Sequence, residues 1–288
     1  MTARVARVTG GSRGIGRALR RSVLREIRSL HSRLDRRAVL RLTELLRDGD
    51  PAVREAAAVE MRFRRQGLAK EALQSALQDR SPLVRRAAAE SLGVNCRGSR
   101  RAPSMLIRLL VDPHPLVRLE AAESLGYIGD RRALSKIWAA ARDGHPLVRS
   151  YAAAAIGGLG RRPDRNRLER ALKTERSDTA RLGFYDALYR LGDKDRLFDV
   201  IALLRSQDYR VRCAAARTVS NFVNRTNRGL ILSALRLALA SDHSIPAKEA
   251  FREGLRKIGS AGTSSGLSEK AAKSSPPRRP RHGVKMTA

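Results

Sequence analysis

Cysteine is nearly absent. Cys96 and Cys213 are the two in 288 residues, and they stand far apart without metal-ligand spacing, so neither a disulfide framework nor a zinc site is indicated. Aromatic residues make up only 4% of the chain, so Ala and Leu must do most of the packing, and base stacking on aromatic platforms is excluded as a main binding mode. No apolar run approaches the ~20 residues of a membrane span, and the first thirty residues contain no signal-peptide core. The expected compartment is therefore the cytoplasm. Acidic residues are scarce as well: 28 Asp and Glu stand against 59 Lys and Arg, a formal net charge of +31. A folded chain this basic should meet polyanions such as an acidic protein, nucleic acid or an anionic surface. The competing explanation is a compositional bias without a binding role, which the preference for Arg over Lys would fit.

Repetition is what the chain has in abundance. The stretch His145-Pro146-Leu147-Val148-Arg149 is followed by an Ala-rich run from Tyr151 to Ile156. Clear copies are Asp50-Pro51-Ala52-Val53-Arg54, Ser81-Pro82-Leu83-Val84-Arg85 and Pro115-Leu116-Val117-Arg118; weaker ones are Asp178-Thr179-Ala180-Arg181 and Asp208-Tyr209-Arg210-Val211-Arg212. The arginines fall at 54, 85, 118, 149, 181 and 212, at intervals of 31, 33, 31, 32 and 31 residues. Such a period is the mark of a repeat architecture.

Each copy can be read physically. Pro is favoured at the first helical position, and Asp or Ser before it caps the open amides. Small residues then recur at the positions a neighbouring helix would press, as in Ala87 to Ala89, Ala121-Ala122, Ala152 to Ala155 and Ala214 to Ala216. Gly93, Gly126, Gly157 and Gly192 stand where left-handed C-terminal caps are expected. A second amphipathic segment precedes each turn, so the unit is helix, turn, helix. The repeated Arg opposes the helix dipole at its site, and an acidic residue lies three to six positions upstream each time: Asp50, Asp79, Asp112, Asp143, Asp178 and Asp208. Arg54, Arg85, Arg118, Arg149, Arg181 and Arg212 accordingly read as one side of an internal ladder.

This pattern resembles the HEAT-like repeat family, including the short repeats of phycobilisome lyases, over roughly residues 36–258. The resemblance implies an all-α, right-handed α-solenoid of about seven helix pairs in which the matching Asp and Arg tie repeat to repeat. It also implies protein binding as the commonest role, and it raises an accessory role in a chromophore lyase. The catalytic pattern of the HEAT-like alkylpurine DNA glycosylases has no match in this chain.

The segment from Val5 to Gly16 matches the nucleotide-binding opening of short-chain dehydrogenases. Its preceding strand would carry Arg4 and Arg7, no alternating strands follow, and the family's Tyr-x-x-x-Lys is missing. Residues 1–16 are therefore read as a flexible lead with no cofactor. Leu19, Val23, Ile27 and Leu30 share a helical face within 17–35, and a cap over the first repeat is expected there. After Ile258 the composition turns to Gly, Ser, Lys and Pro, and 259–288 reads as a disordered basic tail.

Catalysis finds no support: there is no Ser/His/Asp set and no defensible carboxylate pair. His114, His145 and His243 occupy turns, and equivalent positions in adjacent repeats lie about 8–10 Å apart, too far for two ligands at ~2.1 Å from one zinc. They are expected to be turn residues, and no metal site is proposed. Binding has better support. Connections between repeats carry Arg64 and Arg65, Arg97, Arg100 and Arg101, Arg131 and Arg132, Arg161, Arg162, Arg165 and Arg167, and Arg225 and Arg228. In a stack of helix pairs these emerge along one edge and would form a basic ridge. The expectation is a non-enzymatic scaffold for an acidic protein or peptide, with non-sequence-specific nucleic-acid binding as the alternative.

Overall fold

The structure is a computed structural model that describes residues 13–31, 33, 35–64, 67–95 and 102–272; the side chains of 13–19, 102 and 261–272 fall outside that description. The glycine-rich lead through Ser12, Arg65, Arg97, Arg100, Arg101, Cys96 and the tail from 273 onward lie outside the described residues. Those described form an all-α fold with no strand among them, in two compact units, Met1–Arg196 and Leu197–Ala288.

The first unit opens with α1 (Arg13–Ser29) and continues with five helix pairs: α2 (Arg36–Leu45) and α3 (Pro51–Glu60), α4 (Gly67–Ala76) and α5 (Pro82–Asn95), α6 (Ala102–Leu109) and α7 (Pro115–Ile128), α8 (Leu134–Ala140) and α9 (Pro146–Leu159), α10 (Asp164–Thr174) and α11 (Asp178–Arg190). Two further pairs follow: α12 (Arg196–Ala202) with α13 (Tyr209–Asn221), and α14 (Arg228–Ser241) with α15 (Ile245–Ala272). Helix α15 carries helical backbone to Ala272, past the composition break at Ile258 that marked the expected start of the tail. The lead likewise ends earlier than expected, since α1 begins at Arg13. Ile27 and Leu30 are buried in the core of the first unit, with Val23 and Leu24 packed against it.

The second helices start where proline and its capping residue dictate. Asp50 accepts the Ala52 N–H at 2.9 Å and Asp208 the Arg210 N–H at 2.8 Å. His114 and His145 do the same through Nδ1, each at 3.3 Å from the amide two residues on. Both histidines are thus helix caps, which is the physical content of their regular spacing. Among the described residues no group of three His, Cys, Asp or Glu side chains is placed to hold a metal.

Small residues let successive second helices approach closely. Ala87, Ala88, Ala121, Ala122, Ala152 and Ala153 are fully buried, in a core that excludes water chiefly through methyl groups and Leu. Three glycines expected as C-terminal caps belong to this packing instead. A Cβ on Gly93 would lie 2.5 Å from Ser124 Oγ, one on Gly126 2.9 Å from the Ala155 Cβ, and one on Gly157 would strike the Ala187 backbone. Left-handed backbone occurs at Gly129 (φ 83°), which caps α7, and at Gly192 (φ 104°). Hydrogen bonds reinforce the approach: Ser91 Oγ donates to the Ala58 carbonyl at 2.8 Å, and Ser124 Oγ to that of Ala89 at 3.1 Å. The aromatic cluster of the fifth repeat is also core, since Phe184, Tyr185 and Tyr189 are all buried and offer no surface patch.

Candidate interaction surface

Most acidic side chains near the repeat turns are committed to the fold. Arg54 forks onto Asp79 through Nε (2.7 Å) and Nη2 (2.9 Å), while its Nη1 donates to the carbonyls of Asp48 (2.8 Å) and Gly49 (3.1 Å). The same arrangement joins Arg85 to Asp112, Arg118 to Asp143 and Arg149 to Glu175 in the first unit, and Arg212 to Asp242 in the second. Each carboxylate also accepts the amide of the capping residue two positions on, as Asp112 does from His114 at 2.8 Å. Burial works against charge on Asp79, Asp112, Asp143 and Glu175, but the arginine and amide hydrogen bonds overcome it and hold these carboxyls below their ordinary range.

The ladder therefore exists, with a different pairing from the one its spacing suggested. The acid serving each Arg lies 25–30 residues downstream, in the next repeat, as in Arg54 to Asp79 and Arg212 to Asp242. The residues upstream contribute main-chain carbonyls. Asp50 and Asp208 are caps, and Asp178 is the first residue of α11. Glu175 was missed as a ladder acid because no Asp occupies its position. The acids fall at 48, 79, 112, 143, 175 and 242, each two residues before a cap, with Ser206 where a seventh would stand. Arg181 correspondingly forks onto no carboxylate: its Nε is buried without a hydrogen-bond partner, and its guanidinium lies 5.7 Å from the Tyr185 ring centroid.

The expected basic ridge divides into several roles. Arg64 does not belong to a surface: it is 2% exposed and donates to the Leu30 carbonyl at 2.6 Å, and burial lowers its pKa. Its Nη2 serves the main-chain carbonyls of Leu30 and Arg33, which follow the end of α1. Arg131 reaches the Leu159 carbonyl at 2.8 Å, and Arg228 that of Ile258 at 3.2 Å. Arg132 pairs with Asp130, and Arg165 with Glu169 and Asp193. Arg225 is exposed.

Arg161, Arg162 and Arg167 have a different situation. All three are exposed, and none has a carboxylate partner among the described residues. From Arg161 to Arg176 the chain carries seven basic residues and three acidic ones. All three acids are engaged: Asp164 accepts the Arg161 amide at 2.8 Å, Glu169 holds Arg165 at 2.8 Å, and Glu175 holds Arg149. Arg142, just after α8, adds another exposed guanidinium without a carboxylate partner among the described residues. Together with α10 it borders a cleft of about 640 Å³ whose walls include Trp138, Arg142, Arg167, Arg170 and Phe184. Arg142 and Arg170 were missed by the sequence reading. For Arg170 the signal was a spacing of three from Arg167, which sets the two on one face of α10; Arg142, beyond the end of α8, carried no such signal.

The opposite sign gathers elsewhere in the first unit. Glu120 on α7 is buried and pushed up to about 7, first by burial and then by the charges of Glu123 and Glu90. Glu123 is raised by desolvation and by Glu90. Arg62 contacts Glu90, and Arg86 lies 3.5 Å from Glu55. Burial likewise raises Asp186 on α11, against the opposing charge and hydrogen bond of Arg190. This layer of second helices carries its own acids.

Comparison with known proteins supports the architecture. The HEAT-repeat family model matches residues 17–93, 39–112 and 69–156, so this part of the chain carries HEAT-like repeats. Among solved structures it is similar to the complex of CpcE and CpcF of phycocyanin lyase from a Nostoc species, at 21% identity over 76% of this chain and 94% of that one, with a TM-score of 0.51. Escherichia coli YibA aligns at 18% identity over 89% of this chain and 99% of that one, with a TM-score of 0.49. Human deoxyhypusine hydroxylase aligns at 20% identity over 85% and 99%, with a TM-score of 0.41. No curated protein matches the chain. Among the described residues no helix is long and apolar enough to cross a membrane.

Proposed function

We propose that the chain is a non-enzymatic HEAT-repeat scaffold that holds an acidic protein or peptide. The observation that carries this reading is the unequal use of arginine. Five of the six ladder arginines are forked onto largely buried carboxylates, whereas Arg142, Arg161, Arg162, Arg167 and Arg170 present guanidinium groups for which the described residues supply no counter-ion. An exposed Arg without a counter-ion is a recognition element for carboxylates, because its planar fork matches their geometry. The similar phycocyanin lyase fold occurs in a complex of two different chains, which accords with a protein partner. Cations so grouped also raise the local concentration of an anionic partner and speed its association.

The test is a salt series. A labelled glutamate-rich peptide and a DNA duplex of equal charge are titrated with the full chain, followed by fluorescence anisotropy. Saturable peptide binding that weakens with salt supports the proposal. Absence of peptide binding at low salt, or tighter binding of the duplex, overturns it.

A further inference from the structure

We infer that the cleft between α8 and α10 is the docking point of that acidic partner, and that it takes a short peptide segment bearing adjacent Glu or Asp side chains. This inference rests on the acidic-partner reading of the preceding section.

Three features of the cleft point to this ligand. First, its volume of about 640 Å³ lies within the range of pockets that enclose a small molecule or a few side chains, and well above what one carboxylate needs. Second, its charge is one-sided. Arg142, Arg149, Arg167 and Arg170 face it with Glu175 as the acidic residue in its wall. That carboxylate is already occupied, accepting from Arg149 Nε at 2.7 Å and Nη2 at 2.9 Å and from the Ser177 amide at 2.9 Å. The remaining three guanidiniums meet no carboxylate among the described residues, although Arg170 Nε reaches the Asn166 carbonyl at 3.3 Å.

Third, one of them is positioned before a ligand arrives. The Arg167 guanidinium lies 4.0 Å from the centroid of the Trp138 ring, and Trp138 itself is 5% exposed and fixed in the core. Stacking of this kind occupies the face of the guanidinium and leaves its N–H edges open. The side chain thus loses little further freedom when it forks onto a carboxylate, which favours binding. Arg142 and Arg170 offer separate donors beside it, so neighbouring acidic side chains of one peptide find distinct partners.

The arrangement supplies its own probe. Trp138 is the single tryptophan of the chain, so its emission reports on the cleft alone. A hexaglutamate peptide without aromatic residues is titrated into the full chain at low salt under selective tryptophan excitation, with anisotropy of a labelled copy in parallel. The wild type should give a saturable change in Trp138 emission at the same concentrations as the anisotropy change. The double variant R142Q/R170Q should weaken binding by about tenfold or more, the effect of losing charge-assisted hydrogen bonds. Arg167→Lys keeps the charge but removes the fork and the stack, and it should weaken binding several-fold. Arg36→Ser with Arg37→Ser, exposed on α2 and outside the cleft wall, should change affinity by less than about twofold. None of these side chains has a carboxylate partner to strand, so the other variants should unfold at the wild-type midpoint and Arg167→Lys, which loses its stack on Trp138, slightly below it; the midpoints are measured as a control.

If the peptide binds but the cleft variants match the wild type, or Trp138 emission does not respond, the cleft is the wrong place while the acidic-partner reading stands. If the wild type binds no acidic peptide, that reading falls and this inference with it. A duplex that displaces the peptide and binds more tightly would show a nucleic-acid occupant and overturn the assignment.

Discussion

Arg118 and Arg142 lie in adjacent repeats, are chemically identical, and have opposite roles. Arg118 is held by two hydrogen bonds to Asp143, both under 3 Å, with two main-chain carbonyls completing its shell. Arg142, the residue immediately before Asp143, borders the cleft with no counter-ion among the described residues. One arginine binds the molecule to itself; the other is available to something else. The comparison teaches that a net charge of +31 says little about binding until the structural arginines have been subtracted.

The most forceful way to break the comparison is Arg118→Ala. It strands the Asp143 carboxylate, whose side chain is 12% exposed, and should cost about 3–5 kcal/mol. Denaturant unfolding measures this, and a loss under about 1 kcal/mol would mean that the ladder is ornament. Because the ladder carboxyls are depressed in the fold, their contribution is complete above the ordinary carboxylate range and is lost as pH falls through the lowered values. Acid unfolding of the wild type should therefore steepen below about pH 4, and that of Arg118→Ala should begin at higher pH.

The acidic layer provides a contrast of opposite sign. Glu120 titrates at about 7 in the fold against an ordinary value of 4.5, so its burial penalty builds as pH rises between those values and is complete above them. Glu120→Gln should stabilise the chain by about 2–3 kcal/mol at pH 8 and by almost nothing at pH 4. A pH-independent difference would contradict the assignment of the penalty to charge.

Smaller effects sharpen the distinction. Arg181 occupies the ladder column without a carboxylate, so Arg181→Ala should cost about 1 kcal/mol or less, a fraction of the Arg118 effect. Arg142→Ala should change stability by no more than about 0.5 kcal/mol while reducing acidic-peptide binding. An equal loss of stability at Arg118 and Arg142 would dissolve the division between ladder and cleft.

Much of this was legible in advance, and particular residues show why. Pro51, Pro82, Pro115 and Pro146 set helix starts through a fixed φ and a missing N–H, both properties of the residue itself. The period of the arginines announced the repeats. The error over Gly93, Gly126 and Gly157 arose because a glycine near a helix end serves a left-handed turn or a close approach equally well. Only the position of the next helix distinguishes the two. Arg64 was misjudged for a related reason, since nothing local reveals that the carbonyls of Leu30 and Arg33 receive it.

The chain by itself determined where the proline-led second helices begin, the repeat length and the column of arginines, because each depends on a backbone or capping rule acting within a turn or two. Tertiary packing alone decided which carboxylate each arginine meets, since the partner lies 25–30 residues away and reaches it through side-by-side stacking of repeats. The same packing decided which arginines have no partner. Charge excess is a property of composition, but an unpaired guanidinium over Trp138 is a property of where α8 and α10 come to rest.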